Sequence, residues 1–132
     1  MKKDSIKFFC WYLIFIAIAC SGACIWQFFM PQIAADLSRW GIAIGWQHEI
    51  ALWNIAFIIG ILIALFSKSI KMLQLMTVQA TVLCILLGGH HLLTVLDYPA
   101  SLNSMVHWLG VVEVLGIGGG WGSFLLVKYR NK

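Results

Sequence analysis

Apolar residues are grouped along this chain in four stretches, and each is long enough to cross a hydrocarbon core as a helix of about 20 residues. They cover residues 8–30, 46–66, 72–96 and 105–127. The spans of a membrane β-barrel would instead alternate polar and apolar residues over short segments, a pattern that this sequence lacks. The sequence therefore predicts an all-α fold, a polytopic membrane four-helix bundle that forms one domain over residues 1–132.

The composition agrees with a membrane rather than water as the solvent. Hydrophobic residues make up 61% of the chain and charged residues 11%, whereas about a quarter of a soluble domain is charged. Disordered chains are polar and poor in aromatic residues, so that class is excluded too. The net charge of +4 is spread over chain ends and short loops instead of one basic face. We therefore expect the lipid bilayer as the partner and no nucleic acid.

Basic residues predict the orientation, because all but one of them lie at the same ends of the four spans. They are Lys2, Lys3, Lys7, Lys68, Lys71, Lys128, Arg130 and Lys132. The exception is Arg39, in the connection between the first two spans. By the positive-inside rule both termini are cytoplasmic, in a multi-pass protein of the bacterial inner (plasma) membrane. The connections at residues 31–45 and 97–104 then face outward.

Two features of the sequence have competing interpretations. The basic N-terminus and its apolar run also resemble a secretory signal, with Cys20 or Cys24 as a lipidated cysteine, but the run continues beyond Cys24 to Phe29 and favours a retained span. The glycine-rich run Gly116–Gly122 lies inside an apolar span. Phosphate-binding glycine loops instead follow a strand and open a helix. Small residues four apart predict close helix packing there.

Several polar side chains lie in the outward half of the predicted spans, where lipid solvates them poorly. Such residues face the bundle interior or water and are functional by default. The candidate ligand-binding residues are Gln27, Glu49, Asn54, His90, His107 and Glu113. The candidate metal ligands are Glu49, His90, His91 and His107. Helical spacing does not put all of them on one face, so a smaller set of Glu49, His107 and one of the paired histidines is the feasible site.

The chemistry of these residues leaves several functions open. Imidazoles with carboxylates bind transition metals, histidines on facing helices ligate haem, and the same groups can line a pocket for a polar-headed ligand or a proton path. Alternatively the cluster is only structural and joins the spans by hydrogen bonds, each stabilising by about 0.6 kcal/mol on average in membranes. A transition metal or haem is thus an open cofactor. No nucleophile–base arrangement stands out, which gives no reason to expect an enzyme.

The stretch from Trp26 to His91 resembles an uncharacterised bacterial family of small four-helix membrane proteins, a domain of unknown function with a distant similarity to DoxX-like proteins. The matching residues are Phe28, Phe29, Asp36, Trp40, Gln47, Glu49, Asn54, Gly89 and His90. The resemblance implies four spans and singles out Glu49, Asn54 and His90. This chain departs from the family at Trp26–Gln27, where a Gly-His pair is usual, and in the fourth span, where His107 and Glu113 replace an aspartate.

Together these observations predict a small inner-membrane protein with an outward-facing intramembrane polar pocket of Glu, Asn and His side chains. The pocket would bind a metal, a haem or a small, lipid-like ligand. The alternative is an accessory or assembly subunit of a larger membrane complex, in which the polar cluster is only structural. A homo-oligomer is compatible with both interpretations.

Overall fold

The computed structural model describes residues 2–97 and 104–129, with side chains from residue 4 onward. It is helical, and those residues contain no strand. The helices are α1 (Lys2–Phe29), α2 (Pro31–Asp36), α3 (Ile44–Ser67), α4 (Ile70–Asp97), α5 (Met105–Leu109) and α6 (Gly120–Lys128). A π-helical segment, Gly110–Gly119, joins α5 to α6 without a break, so that Met105–Lys128 is one continuous span. The predicted all-α, four-span bundle is confirmed.

Four helices are long and apolar enough to cross a membrane: α1, α3, α4 and the span Met105–Lys128. Three of them begin and end within two residues of the predicted spans. Helix α1 begins at Lys2, earlier than the predicted residue 8, because hydropathy marks only the apolar part of a helix whose first turns are polar. Most of the predicted connection at 97–104 lies outside the described residues.

The predicted loop at residues 31–45 is partly wrong, since its first part is helix α2. Pro31 occupies the first helical turn, where its fixed φ suits the helix and its missing N–H is not needed. The backbone N–H of Leu37 then bonds to the Ile33 carbonyl oxygen at 3.1 Å. The turn between α3 and α4 is tighter, and Lys68 takes the left-handed conformation there with φ 50°.

Helices α1 and α4 form the middle of the bundle. Helix α3 packs mainly along α1, and the fourth span packs mainly along α4. Large side chains of α1, α4 and α6 meet in a core where none is more than 1% exposed. They are Phe9, Tyr12, Leu13, Leu73 and Leu125. Helix α3 contributes only Ala51, Ile61 and Ala64 to the buried set, so it is the most lipid-exposed span.

Glycines bring the fourth span close to its neighbours. A Cβ atom at Gly118 would lie 2.6 Å from Cys84 Sγ, and one at Gly122 would overlap with Thr81 and lie 2.6 Å from the Tyr12 hydroxyl oxygen. The predicted close packing is therefore confirmed for this pair. Gly116 and Gly120 are exposed on the other side, where an added methyl group meets no neighbouring helix. One glycine run thus has an inner and an outer face.

The sequence did not predict the π-helical segment. A π-helix has i→i+5 hydrogen bonds and is usually a single wide turn at a functional site, whereas this one extends over ten residues. Its buried residues are all glycines: Gly110, Gly118 and Gly119. The absence of side chains on that face is what lets the widened backbone lie against α4.

The two ends of the bundle differ in chemistry and are named here for it. The lysine end holds Lys7, Lys68, Lys71 and Lys128. The histidine end holds His48, His90, His91 and His107, together with α2 and the residues that follow it.

Candidate ligand site at the histidine end

The chain that follows α2 is fixed to the start of the fourth span by backbone and side-chain contacts. The Val106 N–H donates to the Leu37 carbonyl oxygen at 3.3 Å. Ser38 is buried, and its hydroxyl oxygen accepts the Trp40 N–H at 3.1 Å. This turn places the Trp40 indole against the ends of α4 and α5.

Trp40 packs against three imidazoles from two different spans. Its ring centroid lies 4.9 Å from His90, with the rings nearly parallel at 15°, and 4.8 Å from His91. His107 meets the indole edge to face at 4.6 Å. Trp40 is 51% exposed and His90 is also exposed. We call Trp40, His90, His91 and His107 the indole–imidazole cluster.

Two members of this cluster form a hydrogen-bonded histidine pair. The Nδ1 atoms of His91 and His107 lie 3.0 Å apart. His107 is fully buried, and its Nε2 accepts the backbone N–H of Arg39 at 3.0 Å, with Ser38 Oγ at 3.5 Å from the same nitrogen. Both ring nitrogens of His107 are therefore engaged by other parts of the protein.

Small residues make room for this pair. A Cβ atom at Gly110 would overlap with the His91 ring, and one at Gly88 would lie 2.5 Å from Leu115 Cβ. Because Gly110 begins the π-helical segment, the widened turn starts next to the histidine pair. Gly110 is thus a structural requirement of the site, and Gly88 lets the fourth span lie close to α4.

A second group of polar residues lies between α1 and α3. Asn54 Nδ2 donates to Gln27 Oε1 at 3.5 Å, which is at the weak limit of a hydrogen bond. The Cys24 thiol lies 3.3 Å from the Ala51 carbonyl oxygen, and the His48 ring packs on Phe28 with centroids 5.1 Å apart. These contacts join two helices and are separate from the indole–imidazole cluster.

Both span-embedded glutamates are exposed on the surface of the bundle. Glu49 lines an open groove of about 350 Å³ with Leu52, Trp53 and Ala56. Glu113 is exposed on the π-helical segment. Neither carboxylate hydrogen-bonds to a histidine anywhere in the described ranges. The structure thus brings His90, His91 and His107 together and places Gln27 and Asn54 in another group.

No protein-family model, curated protein or solved structure matches this chain. Its function is therefore inferred from these residues and their geometry. The family resemblance of the segment Trp26–His91 stays a prediction.

The histidine pair does not fit a transition metal or a haem. Residues 2–97 and 104–129 contain no group of three or more His, Cys, Asp and Glu side chains that could hold a metal ion. A metal bound to His107 would have to displace either His91 or the Arg39 N–H. A cavity of about 400 Å³ is lined by Phe9, Gln74, Val78, Leu126 and Val127, so it offers no axial histidine.

Sequence reasoning missed the central position of Trp40. Tryptophans are common where a span meets the membrane surface, and Trp26, Trp46 and Trp108 near the same boundary gave the same signal. Ser38, two residues earlier, could have indicated a turn before Trp40, since a serine hydroxyl often hydrogen-bonds to the backbone in turns. Nothing in the sequence indicated that Gly110 accommodates the His91 ring.

Proposed function

We propose that this protein binds a small, polar-headed, lipid-like molecule at the indole–imidazole cluster. The observation that carries the proposal is the half-exposed Trp40 packed on three imidazoles at one end of an otherwise apolar bundle. An indole offers an apolar face and a polar edge, which suits a ligand with an acyl part and a polar head. In the orientation predicted by the positive-inside rule, the cluster opens to the outer face of a bacterial inner membrane.

A purely structural cluster would use up its polar groups inside the protein. Here the His90 imidazole is exposed, and the described residues give this ring no hydrogen bond besides its stacking on Trp40. An ionisable residue within a membrane-spanning helix is a functional-site candidate by default. The exposed imidazole of His90 therefore favours a ligand site over a cluster that only joins helices.

The test is whether a molecule co-purifies with the protein and depends on Trp40. The full chain is extracted from its native membrane in mild detergent and examined by native mass spectrometry, as wild type, Trp40→Leu and Trp46→Leu. Trp46 is the matched control, because it is 70% exposed near the same end and makes no ring contact within the described chain. We expect one bound species on the wild type and on Trp46→Leu, and its loss from Trp40→Leu. An empty wild type, or equal retention by Trp40→Leu, would contradict the proposal.

A second candidate, an accessory subunit of a larger membrane complex, is favoured by the exposure of α3. Only 17% of the residues in the most apolar part of α3 are buried, against 28% in the most apolar part of each of the other spans. Glu49 and Trp53 lie on its exposed surface. This candidate predicts a stoichiometric complex that survives gentle solubilisation and is weakened by Trp53→Ala but not by Trp11→Ala, an exposed tryptophan on α1. A monomer or homo-oligomer in that experiment argues against it.

A further inference from the structure

The proton positions on the histidine pair follow from one backbone contact. A backbone N–H can only donate, and the Arg39 N–H lies 3.0 Å from His107 Nε2. His107 Nε2 therefore carries a lone pair. A neutral imidazole has one N–H and one acceptor nitrogen, so the proton of His107 is on Nδ1.

The tautomer of His91 follows from that of His107. His107 Nδ1 lies 3.0 Å from His91 Nδ1 and donates its N–H to that nitrogen. His91 must then accept at Nδ1 and carry its own proton on Nε2. Arg39 thus fixes the tautomers of two consecutive imidazoles, as a hydrogen bond to one ring nitrogen does in metal-site histidines.

The Nε2–H of His91 is left over as a donor. It has no hydrogen-bond partner among the described residues. The His91 side chain is half-buried, and the fully buried side-chain atoms without a partner in that part of the chain are Gln47 Oε1 and Thr77 Oγ1, not His91 Nε2. The half-exposed Trp40 indole packs on the same ring, with centroids 4.8 Å apart, so a molecule seated beside Trp40 lies next to this imidazole.

We propose that the indole–imidazole cluster recognises its ligand through an acceptor oxygen, a phosphate or carboxylate, that receives the His91 Nε2–H, and that it does not take a metal cation. This inference rests on the proposed ligand site. A charged oxygen is the strongest class of acceptor for an N–H donor. A metal needs a deprotonated nitrogen, and within the pair the lone pairs of His107 Nε2 and His91 Nδ1 are already bonded to protein donors. The oxygen could belong to a lipid head group or to a free anion.

The test uses the full chain, labelled with ¹⁵N-histidine, in nanodiscs of neutral phosphatidylcholine at pH 8, well above the usual pKa of about 6.5 for histidine. Long-range ¹⁵N–¹H spectra report the tautomer of each ring. We expect the Nδ1–H form for His107 and the Nε2–H form for His91. The probes are nanodiscs containing phosphatidylglycerol, inorganic phosphate, and Zn²⁺. Phosphatidylglycerol or phosphate should shift His91 Nε2, and Zn²⁺ should leave the pair unchanged.

His48 serves as the internal control, because its ring packs on Phe28 between other helices. Its signals should stay fixed with every probe and report an intact fold. The variant His91→Asn removes the ε-nitrogen donor and should weaken the anion response about tenfold, the size of one charge-assisted hydrogen bond. The matched His48→Asn should respond like the wild type. If His91→Asn does not fold, the tautomers and probe responses of the wild type still test the acceptor-oxygen inference.

Each outcome bears on one of the two proposals. A response to phosphatidylglycerol alone identifies a lipid head group, and a response to phosphate as well identifies a soluble anion as sufficient. The Nδ1–H form of His91, or a Zn²⁺ shift confined to the pair, overturns the acceptor-oxygen inference even if a molecule co-purifies. A wild type that carries no molecule and responds to no probe overturns the ligand site itself, whichever tautomers are found.

Discussion

The lysine end and the histidine end of this bundle are built from the same helices but use their side chains differently. Towards the lysine end, Phe9, Tyr12 and Leu13 are fully buried, and the Tyr12 hydroxyl donates to the Gly118 carbonyl oxygen at 2.9 Å. At the histidine end, Trp40 and His90 are exposed, and none of the described residues accepts a hydrogen bond from His91 Nε2. One end is packed for stability, and the other keeps polar groups available. The difference indicates where substitutions should unfold the protein and where they should alter binding.

The largest expected effect is on the packed half. Tyr12→Ala should lower the free energy of unfolding by about 3–5 kcal/mol, because it empties a core site of aromatic size and removes the hydrogen bond to Gly118. Thermal unfolding in detergent measures it. The control Trp11→Ala removes a neighbouring ring that is 64% exposed and should change little. Equal losses in the two variants would show that the packed half is not tighter than the surface.

A smaller loss is expected when the histidine pair is broken. His107→Ala removes the acceptor of the Arg39 N–H and the donor to His91 Nδ1, at a cost of about 1–3 kcal/mol for each group that stays dry. His107→Gln retains an acceptor for the Arg39 N–H and should recover part of that loss. Denaturant titration compares the two variants. If the free energy of unfolding of His107→Gln is no higher than that of His107→Ala, the contact with Arg39 does not contribute to stability.

Overfilling the site should affect both stability and binding. Gly110→Ala places a methyl group on the His91 ring and should cost about 1–3 kcal/mol, as overpacking does. It should also change the environment of Trp40. This change is measured as the difference in fluorescence between the variant that retains Trp40 and the same variant carrying Trp40→Phe. Gly120→Ala is the control in the same span, because its added methyl group meets no neighbour. Identical behaviour of the two variants would contradict the described fit of His91 against Gly110.

The smallest effect is expected between α1 and α3. The hydrogen bond from Asn54 to Gln27 is long at 3.5 Å, and hydrogen bonds between membrane helices average about 0.6 kcal/mol. Asn54→Val should therefore shift the unfolding midpoint only slightly and leave the Trp40 ligand bound. Loss of the ligand would show that Asn54 belongs to the site after all, as the sequence alone suggested.

Hydropathy was sufficient to predict the four spans because the cost of placing polar groups in lipid acts on each residue regardless of its neighbours. The site was less predictable. His90 and His107 were expected together and do meet around Trp40, but Glu49 lies on an exposed groove of α3. The rotation of a helix about its axis depends on packing against its neighbours. From Gly110 onward the π-helical segment also changes the number of residues per turn. Neither the rotation of a helix nor its change to π-helical geometry can be predicted from the hydropathy of a single span.

The contact between Arg39 and His107 also has a consequence for biosynthesis. These residues are 68 positions apart in the chain. At the usual 5–20 residues per second, the ribosome makes Arg39 roughly 3–14 seconds before His107. During that interval α3 and α4 are made, and Trp40 has no histidine from the fourth span to contact. The cluster is complete only after His107 of the last span has joined it, so the proposed ligand would bind only to a chain whose fourth span is in place.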